Sequence, residues 1–531
     1  GFDQPIFIQF LRFIMDLFSG NWGYSNVIAI GMPVNTMVQM SVPRTLEILI
    51  LPLVIAANLG YLFGKVSNRT KHNWLKNGIQ LLGLVALAVP IFAFGMFLQF
   101  TLGYVADVLP VVGYKNFAFP DPPLVTGFRI LDSLLAGRMD LAADTMVHYI
   151  LPMIVLTVLF TTLLTRVFSS NLNEDAYKKK TILSNTAKTS AIFGIIFAFL
   201  IIIDLTFNLY GYGSRFFQAL YMYDYFVISG FLYVLMILFL ITILTSNLAF
   251  SLIRLIKDVR SKTLEVEVSP DLETEREPKT PIVVDLKSYS KKLIRSPLTW
   301  FGLGAVIILI VISIFAELIS GVSFNEAIGI YPGAWSPPSP DHPLGQGEFG
   351  RDVLALTLYG THNALLFGIG TVFVSLVGGL VLGLLAQLHR IVRVIIMSFS
   401  LIFYILPGIL IAMFLVGILG PLPGLLMITT GLLLIPSFTR IVANAEFRIV
   451  PLGKKILAYI PLFMGFSILF YVTLGFLGLS NPLMIQLGEL ISEGRPFLFV
   501  APWASFWPAL AIFMIVVSLF ILHKGLAEQS R

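Results

Sequence analysis

Uninterrupted apolar runs recur along this chain, and they limit its fold more than any other feature. Stretches such as IIFAFLIII (195–203) and GAVIILIVISIF (304–315) carry no charge. Each sits in an apolar segment of about twenty residues, long enough to cross a bilayer as a helix. The runs are continuous, whereas a closed β-barrel alternates apolar and polar residues in segments of about ten. Helices are then the available solution, because they satisfy their own backbone hydrogen bonds in lipid. Only 12% of the 531 residues are charged, against roughly 25% in soluble domains. The expectation is an all-α polytopic membrane protein.

About eleven such spans can be placed. They cover residues 46–65, 78–102, 148–167, 190–210 and 227–255, then 300–319, 364–388, 392–418, 425–442, 456–477 and 506–522. The polar segment between the two sets, with its SPDLETEREPKTP stretch, reads as a flexible, solvated linker. The chain thus divides into a first block (1–255), a charged linker (256–296) and a second block (297–531). Residues 1–44 are aromatic and amphipathic and read as an interfacial helix followed by a loop. Lys71, Lys76, Lys178, Lys179, Lys180, Lys291, Arg390 and Lys455 cluster in alternate loops. Basic loops mark the cytoplasmic side, which puts the linker and C-terminus inside and the N-terminus outside.

Several chemistries find no support in the sequence. With no cysteine, disulfides, thiolate metal sites and cysteine nucleophiles are excluded. No GxxxxGK[ST] motif occurs; GYLFGK at 60–65 has the wrong spacing and reads as the end of a span. Nucleotide energy would have to come from another chain. The six histidines are scattered and no carboxylate pair stands out for acid–base work. No enzyme activity, cofactor, metal or nucleic acid is expected.

The HPLG turn, His342-Pro343-Leu344-Gly345, followed by Gly350-Arg351-Asp352-Val353-Leu354, resembles the signature of the second permease type of dipeptide/oligopeptide/nickel ABC importers. Phe476-Leu477-Gly478-Leu479, Ser492-Glu493-Gly494-Arg495 and Ala501-Pro502-Trp503 resemble the tail of that type. In the first block, Asn21-Trp22-Gly23-Tyr24-Ser25, Asp204-Leu205-Thr206-Phe207, Gly211-Tyr212-Gly213 and Tyr223-Asp224-Tyr225 resemble the first permease type. The resemblance implies two permease types fused on one chain, in the type I ABC importer fold, with the family's first helix missing ahead of Gly1. It implies an ATP-binding subunit and an extracytoplasmic solute-binding protein as partners, besides membrane lipid. Read on their own, Pro343 and Gly345 shape a turn, and Asp341, Glu348, Arg351 and Asp352 are charges beside a span start. That loop is either held by local ion pairs or part of an outer vestibule.

The chain also departs from the family. The cytoplasmic coupling segments are degenerate: Glu174, Asp175, Ala176 and Tyr177 stand in one, and Ala445, Glu446 and Gly453 in the other, which shrinks to a tight turn. Asp204 replaces a family glutamate, and Tyr471 stands where the second type has another. Intramembrane acids are costly and usually functional. Two readings follow: a solute-translocating permease importing peptides or similar solutes, or a permease-derived scaffold inside a larger membrane assembly. The two blocks are expected to be parallel repeats that face each other through their third-from-last and second-from-last spans.

Overall fold

The computed structural model describes residues 4–171, 182–262, 296–405, 408–422, 424–445, 449–481 and 483–529. Among these residues the regular structure is helical, with two isolated β-bridges, Tyr24 to Pro33 and Gln346 to Asp352. The N-terminal part contains α1 (Ile6–Ser19), α2 (Val34–Arg69), α3 (Asn73–Ala88), α4 (Ile91–Leu98), α5 (Arg129–Leu135), α6 (Met139–Asn171), α7 (Ile182–Phe207), α8 (Tyr212–Tyr221) and α9 (Tyr225–Lys262). The C-terminal part contains α10 (Pro297–Ile314), α11 (Ala316–Ser320), α12 (Phe324–Ala327), α13 (Val353–Leu388), α14 (Arg390–Ile405), α15 (Gly408–Leu419), α16 (Leu425–Ala443), α17 (Ile449–Phe476), α18 (Leu487–Gly494) and α19 (Trp503–Gln529).

Among the described residues eight helices are long and apolar enough to cross a membrane, or up to ten if each of two bent pairs counts as one span. The expected total of about eleven differs because some apolar runs break. Residues 78–102 turn by 88° between α3 and α4. Pro90 sits at that corner, where its missing N–H ends one helix and suits the start of the next. Residues 190–210 run into an 84° corner between α7 and α8, with Asn208 and Tyr210 both in the left-handed region. The run at 392–418 is divided between α14 and the short α15. As expected, α1 is amphipathic: Ile6, Phe7, Phe10, Met15 and Phe18 are exposed along it, and Gly20 closes it in a left-handed cap.

A packing scheme appears twice. Helix α2 lies along α6 and α13 lies along α16. In each pair two glycines four residues apart form the contact. Gly60 and Gly64 face Leu164 and Phe168; Gly379 and Gly383 face Phe438 and Val442. A methyl at any of the four would crowd the facing helix, so the backbones approach as small-residue membrane interfaces allow. After each pair comes a long helix (α7, α17), a short one tucked beside it (α8, α18) and a last long one (α9, α19).

The two parts meet along a seam. Helices α3 and α4 contact α19, while α14 and α15 contact α7 and α8. The Phe92 ring stacks on Phe476 at 4.3 Å, and Phe100 meets Phe506 edge-on at 5.2 Å. Arg495 donates to the Leu205 carbonyl at 3.0 Å, and the Tyr223 hydroxyl to that of Gly417 at 2.9 Å. The expected second-from-last spans, α7 and α17, do contribute. The expected third-from-last spans, 148–167 and 425–442, do not form the main contacts across it. Helices α6 and α16 already spend their faces on the glycine-lined α2 and α13, and the broken helices take their place.

Candidate functional site

Asp204 lies at the end of α7, fully enclosed. It holds the corner that follows: Oδ1 accepts from the Gly211 amide (3.0 Å) and the Ser214 hydroxyl (2.8 Å), and Oδ2 accepts from the Ser214 amide (2.8 Å). The carboxylate therefore sits at the first turn of α8, where unpaired amides favour an anion. Helix α2 grips the same corner. Thr45 Oγ1 accepts from the Tyr212 amide (2.8 Å) and the Arg44 guanidinium donates to the Tyr210 carbonyl (3.0 Å). Gly211 fits because a side chain would strike Thr45 and the Asp204 carboxylate.

In the C-terminal part the same stage of the scheme carries an aromatic residue. Tyr471 on α17 is buried and its ring stacks on Phe367 of α13 at 4.0 Å. The corner after α17 keeps its left-handed glycine, Gly478, and Asn363 on α13 reaches the Ile485 carbonyl at 2.9 Å.

The signature loop folds tightly. His342 and Asp352 pair at 2.8 Å, and the other oxygen of Asp352 accepts from the Ala355 amide (2.7 Å), capping α13. Exposed Pro343 and half-buried Leu344 form the tip of the turn, closed by the Gly345 amide on the His342 carbonyl (2.8 Å). Gly345 (φ +78°) lies against the Trp503 indole, whose N–H donates to the Gln346 carbonyl at 3.1 Å. Gly350 (φ +69°) presses on the carbonyls of Tyr331 and Pro332, a place and a backbone angle closed to side chains. Arg351 donates to the Gly329 carbonyl (3.2 Å) and lies over the Phe349 ring. Local contacts thus tie the loop to α13 and α19.

Behind it, Glu348, Glu489 and Glu493 gather with Arg351. Burial, helped by the Glu348 and Glu489 charges, pushes the Glu493 carboxyl up to about 8. Burial likewise raises Glu489. A folded-state value above the unfolded one means that the native state holds the extra proton. The contribution of Glu493 to stability is full below its ordinary value of 4.5 and is lost as pH rises toward 8. Glu493→Gln is expected to reduce this fall and raise the melting temperature at pH 8, as thermal unfolding of the purified protein at pH 5 and pH 8 would measure.

Asp224, the residue after Tyr223, is a second anchor. One oxygen accepts from the Ser25 hydroxyl (2.6 Å) and the amides of Asn26, Val27 and Ile28 (3.1–3.3 Å). Burial opposes ionisation, but these four donors win and hold the carboxyl below its ordinary range. The loop after α1 is thereby fastened to the start of α9.

The coupling positions are only partly visible: Glu174, Asp175, Ala176, Tyr177 and Glu446 lie outside the described residues. Ala445 follows the end of α16, and its carbonyl accepts from Gln387 (3.2 Å). Gly453 lies in the first turns of α17 with open space around its Cα. Five residues separate the described ends of α16 and α17.

No family profile matches the chain. Individual relatives do. The probable D,D-dipeptide transport system permease protein DdpB of Escherichia coli is 31% identical over 156 residues, which are 29% of this chain and 45% of the relative. The glutathione transport system permease protein GsiD of Pectobacterium atrosepticum is 30% identical over 218 residues, 36% of this chain and 72% of the relative. The dipeptide transport system permease protein DppC of Alkalihalophilus pseudofirmus is 30% identical over 267 residues, 45% of this chain and 86% of the relative. The chain belongs to the dipeptide/glutathione family of ABC transport permeases. It is a multi-pass membrane permease of that family, and it spans less than half the length of DdpB.

Within this permease the Asp204 corner also holds residues that the sequence reading passed over. Arg44, Tyr114, Tyr210 and Arg215 converge beside it: the Arg44 guanidinium lies 3.8 Å from the Tyr114 ring centre and that of Arg215 5.8 Å from the Tyr210 ring. One signal was available. Arg44 is a cation placed just ahead of a span on the side where the charge rule leaves few of them.

Proposed function

We propose that this permease carries both membrane halves of an ATP-driven importer of peptides or peptide-like solutes on one chain. Residues 1–255 form one half, 256–296 a cytoplasmic linker and 297–531 the other, with the N-terminus outside and the C-terminus inside. The observation that carries this reading is the duplicated scheme, α2 on α6 and α13 on α16 through matched glycine pairs, each followed by a long–short–long helix set. The solute class follows the dipeptide and glutathione named for the relatives. An ATP-binding subunit would seat beneath the chain near Tyr177 and Gly453, and a solute-binding protein would dock on the HPLG loop. Two degenerate coupling segments, one of them a short turn, make that seating shallow.

One observation favours the second reading, a transport-inactive scaffold. The Phe92 ring stacks on Phe476 across the seam. Reconstitution of the complex in liposomes separates the two. ATP-dependent accumulation of a labelled dipeptide supports the importer; no accumulation from a complex that still binds dipeptide at its surface subunit supports the scaffold.

A further inference from the structure

The geometry points to a carboxylate-binding site in the N-terminal part, in a cavity of about 340 Å³ beside the Asp204 corner, lined by Met37, Met40, Arg44, Tyr114, Tyr210 and Arg215. The size falls within the roughly 300–1,000 Å³ of small-molecule pockets. Two guanidiniums face it, and among the described residues no carboxylate lies within ion-pair distance of either. The nearby acids are engaged elsewhere. Asp204 is taken by the amides of α8, Asp121 by Lys115 and Arg129, and Glu47 by the Ile130 amide.

Arg44 is fixed by its bond to the Tyr210 carbonyl and by the Tyr114 ring, and its buried Nε has no hydrogen-bond partner. Arg215 makes a long 3.3 Å hydrogen bond to Gln218 and lies 5.8 Å from the Tyr210 ring centre. A planar guanidinium fork matches a carboxylate, and a desolvated one binds it more strongly than water-exposed charge does. Met37 and Met40 supply adaptable apolar walls and Tyr114 a ring face, so the ligand is a carboxylate joined to an apolar group. The C-terminal end of a short peptide has that chemistry. This inference rests on the reading of the chain as a peptide permease, and it adds which end of the solute is held and where.

The test uses the full chain in nanodiscs of zwitterionic lipid, titrated calorimetrically with Ala-Phe and with its C-terminal amide. The acid is expected to bind about tenfold or more tightly than the amide, a difference of ~1.4 kcal/mol. Arg215→Gln should bring the acid down to the amide's affinity and leave the amide unchanged, while Arg215→Lys should fall between. Arg215 is the primary variant because Arg44 also supports the fold. Equal binding of acid and amide, no binding of either, or an unaltered Arg215→Gln would overturn the site. So would Arg215-dependent retention of an anionic phospholipid with no binding of the acid, which would assign the cavity to a lipid headgroup. Arg-dependent binding without uptake in liposomes would count against the importer alone; uptake with no preference for the acid would count against this site alone.

Discussion

Asp204→Ala is expected to release the Tyr210–Ser214 corner and to destabilise the protein by roughly 3 kcal/mol or more. The carboxylate satisfies two buried amides and a hydroxyl, and each hydrogen bond to a charged group is worth about 1.5–3 kcal/mol, with a further cost for donors left unpaired in the interior. Thr45 Oγ1 at the same corner already accepts from the Tyr212 amide. Asp204→Asn keeps one acceptor and should cost less. Thermal unfolding in detergent would measure both, and faster proteolysis after Tyr210 would locate the change. An unaltered melting temperature for the alanine variant would mean that the corner is held by packing alone.

Gly488→Ala should be more damaging still, although it adds one methyl group. A Cβ at Gly488 would overlap the carbonyl of Val472 on α17, and a backbone atom cannot rotate aside as a side chain can. Helix α18 would have to lift from α17, taking Leu487 and Ile491 out of the core. Overpacking usually costs about 1–3 kcal/mol when side chains can yield; here the expected outcome is loss of folded protein from the membrane fraction. Fluorescence-detected size exclusion of a tagged variant would report it. A monodisperse peak at wild-type yield would show that α18 is loosely seated.

The sequence was most legible where one physical rule acts alone. Apolar runs of bilayer length became helices, and Pro90, which removes a donor, marks the corner between α3 and α4. The bend after Phe207 was not, since it depends on Asn208 and Tyr210 in left-handed backbone and on a carboxylate supplied by the preceding helix. Gly60 and Gly64 drew notice only as a failed phosphate-loop motif; their role emerges once α6 lies against them. The same holds for Arg44 and Arg215, which are 171 positions apart by their numbers and meet across a cavity only in the fold. Local turn chemistry in the HPLG loop was readable, but its anchor Trp503 lies far along the chain.

The central claim is that one chain supplies both halves of a permease. Native mass measurement of the complex, gently isolated from the membranes that contain it, tests this most directly. One copy of this 58.8 kDa chain with two ATP-binding subunits is expected. Two copies of the chain per complex, or a complex with no ATP-binding subunit, would contradict it.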